Sequence, residues 1–325
     1  MSEEIDALLR SLHDDDAPSP EREELLREIL VRIVELSKVD SNAPDLRIAL
    51  TALNELLEAS TLFASWRDRP KVTVFGSART KTDNPLYEMA RAFGEAIAAR
   101  GWMMVSGAGP GIMEASSKGS GRSNTLGVNI ELPFEQGANE FIDVDKMHVA
   151  MNFFFTRKVA LTRASQAFVA FPGGVGTMDE LFEILTLVHT GKTDPAPIVL
   201  VDLPEGDFWQ RWLDFMDVLV RDAYIDDVDI ALISLCTSID EAIEEIEHFY
   251  RNYVSISVED GRAQMQLRHA PDPAQLADLA QRFPSFSIAQ GFLIEGDGLS
   301  FDFDGRNYVT LRLLIDEVND WPAFR

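Results

Sequence analysis

Cysteine is nearly absent from this chain: Cys236 is the single one in 325 residues. One thiol can build neither a disulfide framework nor a thiolate metal cage. Histidine is also scarce, with His13, His148, His189, His248 and His269 showing no HExxH and no paired ligand spacing, which argues against metal catalysis. Positive charge is in deficit, 29 Lys and Arg against 54 Asp and Glu, for a net charge of −25. Such a chain is a poor partner for a nucleic acid polymer or an anionic membrane. If it binds an anion, it must do so locally, with N–H groups and a few arginines. No apolar run approaches the ~18 residues that a membrane span requires. The acidic start, Met1-Ser2-Glu3-Glu4, leads into no apolar core of the signal-peptide kind, so the expected location is the cytoplasm.

Glycine, by contrast, is concentrated in three places. Pro172-Gly173-Gly174-Val175-Gly176-Thr177-Met178-Asp179-Glu180 follows the apolar run Ala167-Phe168-Val169-Ala170-Phe171, the pattern of a buried parallel strand. Leu181, Ile184, Leu185 and Val188 then recur at helical spacing over 179–188. Strand, glycine turn and helix start together suit a phosphate, because bare N–H groups and the positive end of the helix dipole meet there. Glu180 would set a carboxylate beside that seat. The same residues also read as a capping box, with Thr177 as N-cap and Glu180 reaching back. A cap, however, does not require Gly173, Gly174 and Gly176 upstream of it.

A second such loop, Ser106-Gly107-Ala108-Gly109-Pro110-Gly111, follows Trp102-Met103-Met104-Val105 and opens a helix at Ile112-Met113-Glu114-Ala115. It is not the dinucleotide fingerprint, because Ile112 stands where the last glycine should be. A third strand, Val72-Thr73-Val74-Phe75, enters Gly76-Ser77-Ala78-Arg79. Three such units would gather at one edge of a parallel sheet, where open α/β folds bind ligands. Gly191-Lys192-Thr193 is no Walker loop, since Thr186 replaces the leading glycine. No Gly-x-Ser-x-Gly elbow exists either, with Lys118 ahead of Ser120.

These residues resemble the LOG family, the cytokinin-activating phosphoribohydrolases often described as lysine decarboxylases. The motif PGGxGTxxE is complete from Pro172 to Glu180, and an Arg157-Lys158 pair follows Met151-Asn152-Phe153-Phe154-Phe155-Thr156. The loop from Ser106 to Glu114 and the run Gly127-Val128-Asn129-Ile130-Glu131-Leu132-Pro133, with Glu135, Gln136 and Asn139 after it, extend the resemblance over residues 70–250. It implies Arg157 and Glu180 as the catalytic pair. Gly76, Ser77, Arg79, Ser106, Gly107, Gly109, Gly111, Met113, Glu114, Lys158, Pro172, Gly173, Gly174, Gly176 and Thr177 would bind the substrate and its phosphate. The implied reaction is cleavage of the N-glycosidic bond of a nucleoside 5′-monophosphate to free base and ribose 5-phosphate, with neither metal nor cofactor. With its extra N- and C-terminal segments the chain resembles the larger bacterial members more than the short plant type, and some of those larger members take ordinary purine or pyrimidine monophosphates, so cytokinin specificity does not follow from the motif. The resemblance also implies a homodimer or higher homo-oligomer. The alternative is a non-catalytic nucleotide-binding or sensing protein that keeps the loops. Taken alone, Arg157 would read as a surface arginine on a helix. Lys158 stands about 100° round that helix, so the two are not expected to serve one ligand atom. His148 and Asn152 read as a polar helix face or a pocket lining. No lysine is marked as the cofactor-bearing residue a decarboxylase would need.

The expected fold is α/β: a Rossmann-like, doubly wound parallel sheet with an N-terminal helical segment and a small C-terminal α+β appendage. The expected domains are 1–69, 70–252 and 253–325. Leu25, Ile29, Ile33 and Leu36 mark an amphipathic helix after a polar break over 14–20. Ile198-Val199-Leu200-Val201 is a further buried strand, and Trp209, Trp212, Leu213 and Phe215 have the spacing of a core-facing helix. The acid-rich stretch over 240–250 reads as a solvated face. After Val254 alternation suggests two strands, over 254–258 and 264–268, joined through Glu259-Asp260-Gly261-Arg262. A helix over 273–283 and a hairpin through Asp304-Gly305 complete the appendage.

Overall fold

The computed structural model describes residues 19–39, 42–132 and 137–321, with backbone alone at 227–229. His13, Glu135, Gln136 and the polar break up to Pro18 lie outside the described residues. The chain divides into two compact units, Met1–Asn54 and Glu55–Arg325.

The first unit is helical where described. Helix α1, Pro20–Leu36, opens with Pro20 at its first position and with Ser19 Oγ accepting the Arg22 N–H at 3.3 Å. No side chain of α1 is buried, and Leu25, Ile29 and Ile33 are exposed. Helix α2, Ala43–Ala64, runs from this unit into the second.

The second unit is built on a seven-stranded parallel sheet. Its strands are β1 Lys71–Phe75, β2 Met103–Ser106, β3 Thr125–Ile130, β4 His148–Met151, β5 Ala167–Ala170, β6 Ile198–Val201 and β7 Ile233–Cys236. Their order is β4-β3-β2-β1-β5-β6-β7, every neighbour parallel. Successive residues of each inner strand face opposite sides. Thus Met103 and Val105 join one apolar cluster, and Met104 joins the other. Helices α5 (Phe154–Ala164), α6 (Val175–His189) and α7 (Phe208–Arg221) cover the first face through Leu161, Ile184 and Trp209. Helices α3 (Pro85–Ala99), α4 (Ile112–Ser120) and α8 (Ile239–Phe249) cover the second through Phe93, Ile112 and Ile243. Both faces are therefore dry, which is why these strands read as continuous apolar runs.

The chain ends in a four-stranded antiparallel sheet ordered β10-β11-β9-β8: β8 Tyr253–Glu259, β9 Arg262–Leu267, β10 Leu293–Glu295 and β11 Gly298–Asp302. Helices α9 (Pro273–Arg282) and α10 (Tyr308–Asn319) pack Leu279, Leu311, Leu314 and Val318 with Met265, Leu267 and Phe301 of that sheet. The β8–β9 turn holds Asp260 at φ 49° and Gly261 at φ 78°, the pair of positive values a type I′ hairpin requires.

The structure departs from the sequence reading at several points. The second hairpin turns between Glu295 and Gly298, and Asp304-Gly305 instead leads into α10. His148 belongs to a strand and Asn152 to the turn before α5, so the two share no helix face. Phe215 points outward and is 50% exposed, while Met216 takes the buried position. The acids of α8 are not merely solvated, for Glu244, Glu245 and Glu247 hold Arg251, Arg312 and Arg100.

Candidate active site

The central strand β1 lies between β2 and β5, so the three glycine loops leave the sheet side by side. They are also laced together by backbone hydrogen bonds. Ser77 N–H donates to the Pro172 carbonyl at 3.2 Å, and Ile112 N–H at the start of α4 donates to the Ser77 carbonyl at 3.1 Å. Gly111, the N-cap of α4, has φ 69°, and a Cβ there would run into the Ser77 carbonyl and Ala78. Glycine is thus required twice over, by backbone conformation and by the close approach of two loops. Gly76 lies against the Ile112 side chain in the same way.

Within the second loop, buried Ser106 accepts the Ala108 N–H at 3.2 Å. Ala108 has φ 60°, and its carbonyl accepts the Asn139 N–H at 2.8 Å and its side-chain amide at 3.1 Å. Met113 places its thioether against Gly107 and Gly109. Glu114 accepts the Tyr87 hydroxyl at 2.7 Å; burial, then this contact, pushes the Tyr87 phenol up. In the first loop, Ser77 Oγ accepts the Arg79 N–H at 3.1 Å and the Arg79 side chain is exposed.

The third loop corrects one sequence reading. Helix α6 begins at Val175 with Gly174 as its N-cap and no side-chain cap. Thr177 is therefore inside the first turn, and the capping box does not form. Its hydroxyl occupies the place a Cβ of Gly173 would take, with Ser77 N 3.0 Å from the same point. Gly174 and Gly176 have nothing within 4 Å of a Cβ position. The first turn of α6 thus keeps N–H groups free of any side-chain cap, the arrangement that favours an anion.

Glu180, in the second turn of α6, is 8% exposed. Lys158 Nζ lies 3.8 Å from its carboxylate, 3.0 Å from that of Asp179, and forms a close ion pair with Glu183. Burial raises the Glu180 carboxyl above its ordinary value, with Lys158 and Arg157 pulling the other way. Burial alone would lower the Lys158 ammonium, but Glu183, Asp179 and Glu180 together raise it. Arg157 diverges from Lys158. Its Nε–H donates to the Val128 carbonyl at 3.0 Å and its guanidinium lies over Gly107. One residue of α5 thus reaches the second loop and the next reaches α6.

Glu55 has no signature in the sequence. This residue of α2 is 4% exposed and accepts the Asn152 N–H at 2.7 Å, the Asn152 side-chain amide at 3.1 Å and the Thr156 hydroxyl. Helix α5 has no acid in its first turn and no side-chain cap of its own, so Glu55 supplies the negative charge its N-terminus calls for. Burial would raise this carboxyl, yet the donors outweigh it and hold it low. Asn152 is consequently turned to Glu55. His148 has its Nε2 buried without a hydrogen-bond partner, and burial lowers its pKa against the pull of Glu131.

A cavity of about 770 Å³ lies elsewhere, lined by Phe286, Phe303, Arg306, Asn307 and Tyr308 among others, and by no residue of the three loops. Among the described residues no group of three or more His, Cys, Asp or Glu could hold a metal ion, and no helix is long and apolar enough to cross a membrane.

Fold and loops define a doubly wound α/β protein whose three glycine loops gather at the carboxyl ends of its strands, where open α/β folds bind ligands. Residues 99–246 match the family model described as "Possible lysine decarboxylase". A cytokinin riboside 5′-monophosphate phosphoribohydrolase of Mycobacterium tuberculosis is 34% identical over 142 residues, 42% of this chain and 73% of that protein. One of Mycobacterium marinum is 29% identical over 170 residues, 51% of this chain and 88% of that protein. Among solved structures, the molybdenum cofactor carrier protein of Chlamydomonas reinhardtii is 21% identical, covering 55% of this chain and 96% of its own, with a TM-score of 0.39. The chain belongs to the LOG, or lysine-decarboxylase-like, family, and is longer than these relatives.

Proposed function

We propose that the protein is a nucleoside 5′-monophosphate phosphoribohydrolase, adding water across the N-glycosidic bond to give free base and ribose 5-phosphate. The observation that carries this reading is Glu180: a buried carboxylate within the influence of Lys158 and Arg157, on a helix that starts uncapped in a glycine loop. Loss of the base builds positive charge on the ribose, which an ionised Glu180 would stabilise while orienting or deprotonating the attacking water. The loop N–H groups and Arg157 would clamp the phosphate, and that remote binding energy would position the sugar. The loop residues named from the sequence, from Gly76 to Thr177, serve this seat in our reading. Cytokinin monophosphates are one substrate class to test beside the ordinary ones. Lys158 suits ion pairing better than Schiff-base chemistry, because its pKa is raised, where a nucleophilic amine needs it lowered.

The test is release of free base from AMP, GMP, CMP, UMP and an N6-isopentenyl AMP. Turnover that vanishes in Glu180→Gln while nucleotide still binds supports the enzyme. Binding without turnover in the unaltered protein moves the assignment to a nucleotide sensor.

A further inference from the structure

In a chain with 54 acids against 29 Lys and Arg, basic side chains mostly find carboxylates. Arg100 pairs with Glu247, Arg251 with Glu244, Arg262 with Asp302 and Arg312 with Glu245. One place in the second unit breaks that pattern. A cleft of about 310 Å³ lies between the carboxyl-terminal halves of α2 and α5. Three cations line it, Arg67, Lys71 and Arg163, with no acid among the lining residues.

All three have donors to spare. Arg67 and Arg163 make no hydrogen bond or ion pair among the described residues. Lys71 is 4% exposed, and its ammonium donates to the Arg69 carbonyl at 2.7 Å, which leaves two of its N–H groups unused among the described residues. Burial and then Arg69 lower this ammonium, with Asp68 opposing them. Gln166 accepts the Lys71 N–H on its side-chain oxygen at 2.9 Å, so its NH2 group is a further donor to the cleft. The ends of α2 and α5 do attract cations, but an arginine held by a helix end donates to the last carbonyls, and neither guanidinium does so here. Three like charges with no carboxylate between them repel one another, a cost that a bound anion would relieve.

We propose that this cleft is a second ligand site, for a small phosphomonoester. Two guanidiniums supply the paired donors that suit a doubly charged phosphate, and the ammonium adds a point charge. Most of the remaining lining is apolar, with Leu56, Phe63 and Val159 the largest members, so an ester with a compact carbon body covers surface that a bare ion would leave wet. The volume stands at the lower end for small-molecule sites, which suits an aryl or sugar phosphate and excludes a dinucleotide. Lys71 opens β1 and Gln166 precedes β5, so the cleft lies at the amino ends of these strands, across the sheet from the glycine loops. Arg163 stands about 9 Å along α5 from Arg157, so an occupant rests on the helix that aims Arg157 and Lys158. The site does not depend on the reaction proposed above.

A thiol footprint on the full chain locates the ligand. Ser60 lines the cleft and is exposed, whereas the native Cys236 is buried, so Ser60→Cys provides one reactive thiol. Saturating phenyl phosphate should slow its alkylation by N-ethylmaleimide about tenfold or more; a ligand confined to the glycine loops would leave the rate unchanged. Inorganic phosphate should need a higher concentration for the same effect, and phenol should have none. Adding Arg67→Gln and Arg163→Gln should abolish the protection, and with repulsion removed that protein should melt no lower than its Ser60→Cys parent. Four results would each overturn the proposal: alkylation indifferent to phenyl phosphate, protection matched by sodium chloride at equal ionic strength, inorganic phosphate as effective as the ester, or protection that survives loss of both guanidiniums.

Discussion

Lys158 holds its ammonium 3.8 Å from the Glu180 carboxylate while also bridging Asp179 and Glu183. One cation on α5 therefore restrains three acids of α6, and the acid assigned to catalysis is the most buried of them. For that carboxyl, burial outweighs the attraction.

A rate that depends on ionised Glu180 should rise with pH through a value above the ordinary 4.5 of a glutamate. Lys158→Met removes the nearest positive charge and should move that acid limb further upward. A pH profile of kcat/KM reads the shift; a limb at the ordinary glutamate value in both proteins would remove Glu180 from the rate-determining ionisation.

The same carboxyl makes a stability prediction with a definite sign. A raised folded-state pKa favours the protonated group, so its contribution is present below pH 4.5 and is lost as pH rises through the folded value. Glu180→Gln should therefore stabilise the protein at pH 7, with the gain shrinking toward pH 4.5. Urea unfolding at several pH values measures it.

Glu55 behaves in the opposite sense. Its lowered carboxyl contributes stability above the ordinary value, and that contribution is lost as pH falls through the folded one. Glu55→Ala strands the Asn152 N–H and the Thr156 hydroxyl and should cost about 2–4 kcal/mol. Activity should fall as well, because the first turn of α5 aims Arg157 and Lys158; Glu55→Gln, which keeps an acceptor oxygen, should lose less of both. Equal losses in the two variants would mean that charge alone matters.

Gly111→Ala should destabilise by about 1–3 kcal/mol from its positive φ, and by more from contact with the Ser77 carbonyl. Gly107→Ala acts differently, since its methyl would displace the Arg157 guanidinium. Its melting temperature should hold while nucleotide affinity drops, a pairing that thermal shift and calorimetry together resolve.

The parallel core was legible because strands buried on both faces are written as uninterrupted apolar runs, as in Ile198-Val199-Leu200-Val201. β4 was not, because a four-residue edge strand that begins with His148 has no such signature. The glycine loops announce themselves, yet a helix start as early as Val175 does not, since Gly174 and Gly176 argue locally against a helix that tertiary packing imposes. Glu55 was illegible in principle. It lies 97 residues from Asn152, and an acid on an amphipathic helix looks like any solvated side chain until the fold is known.

Gly174 and Gly176 leave room that the fold itself does not need. Alanine at Gly176, inside the first turn of α6, should even stabilise the helix by roughly 0.5–1 kcal/mol. If the loop N–H groups must approach a phosphate, that gain would come with weakened substrate capture. Position 176 is thus where this chain is expected to trade robustness against turnover, and thermostabilising selection applied without an activity screen should find it early.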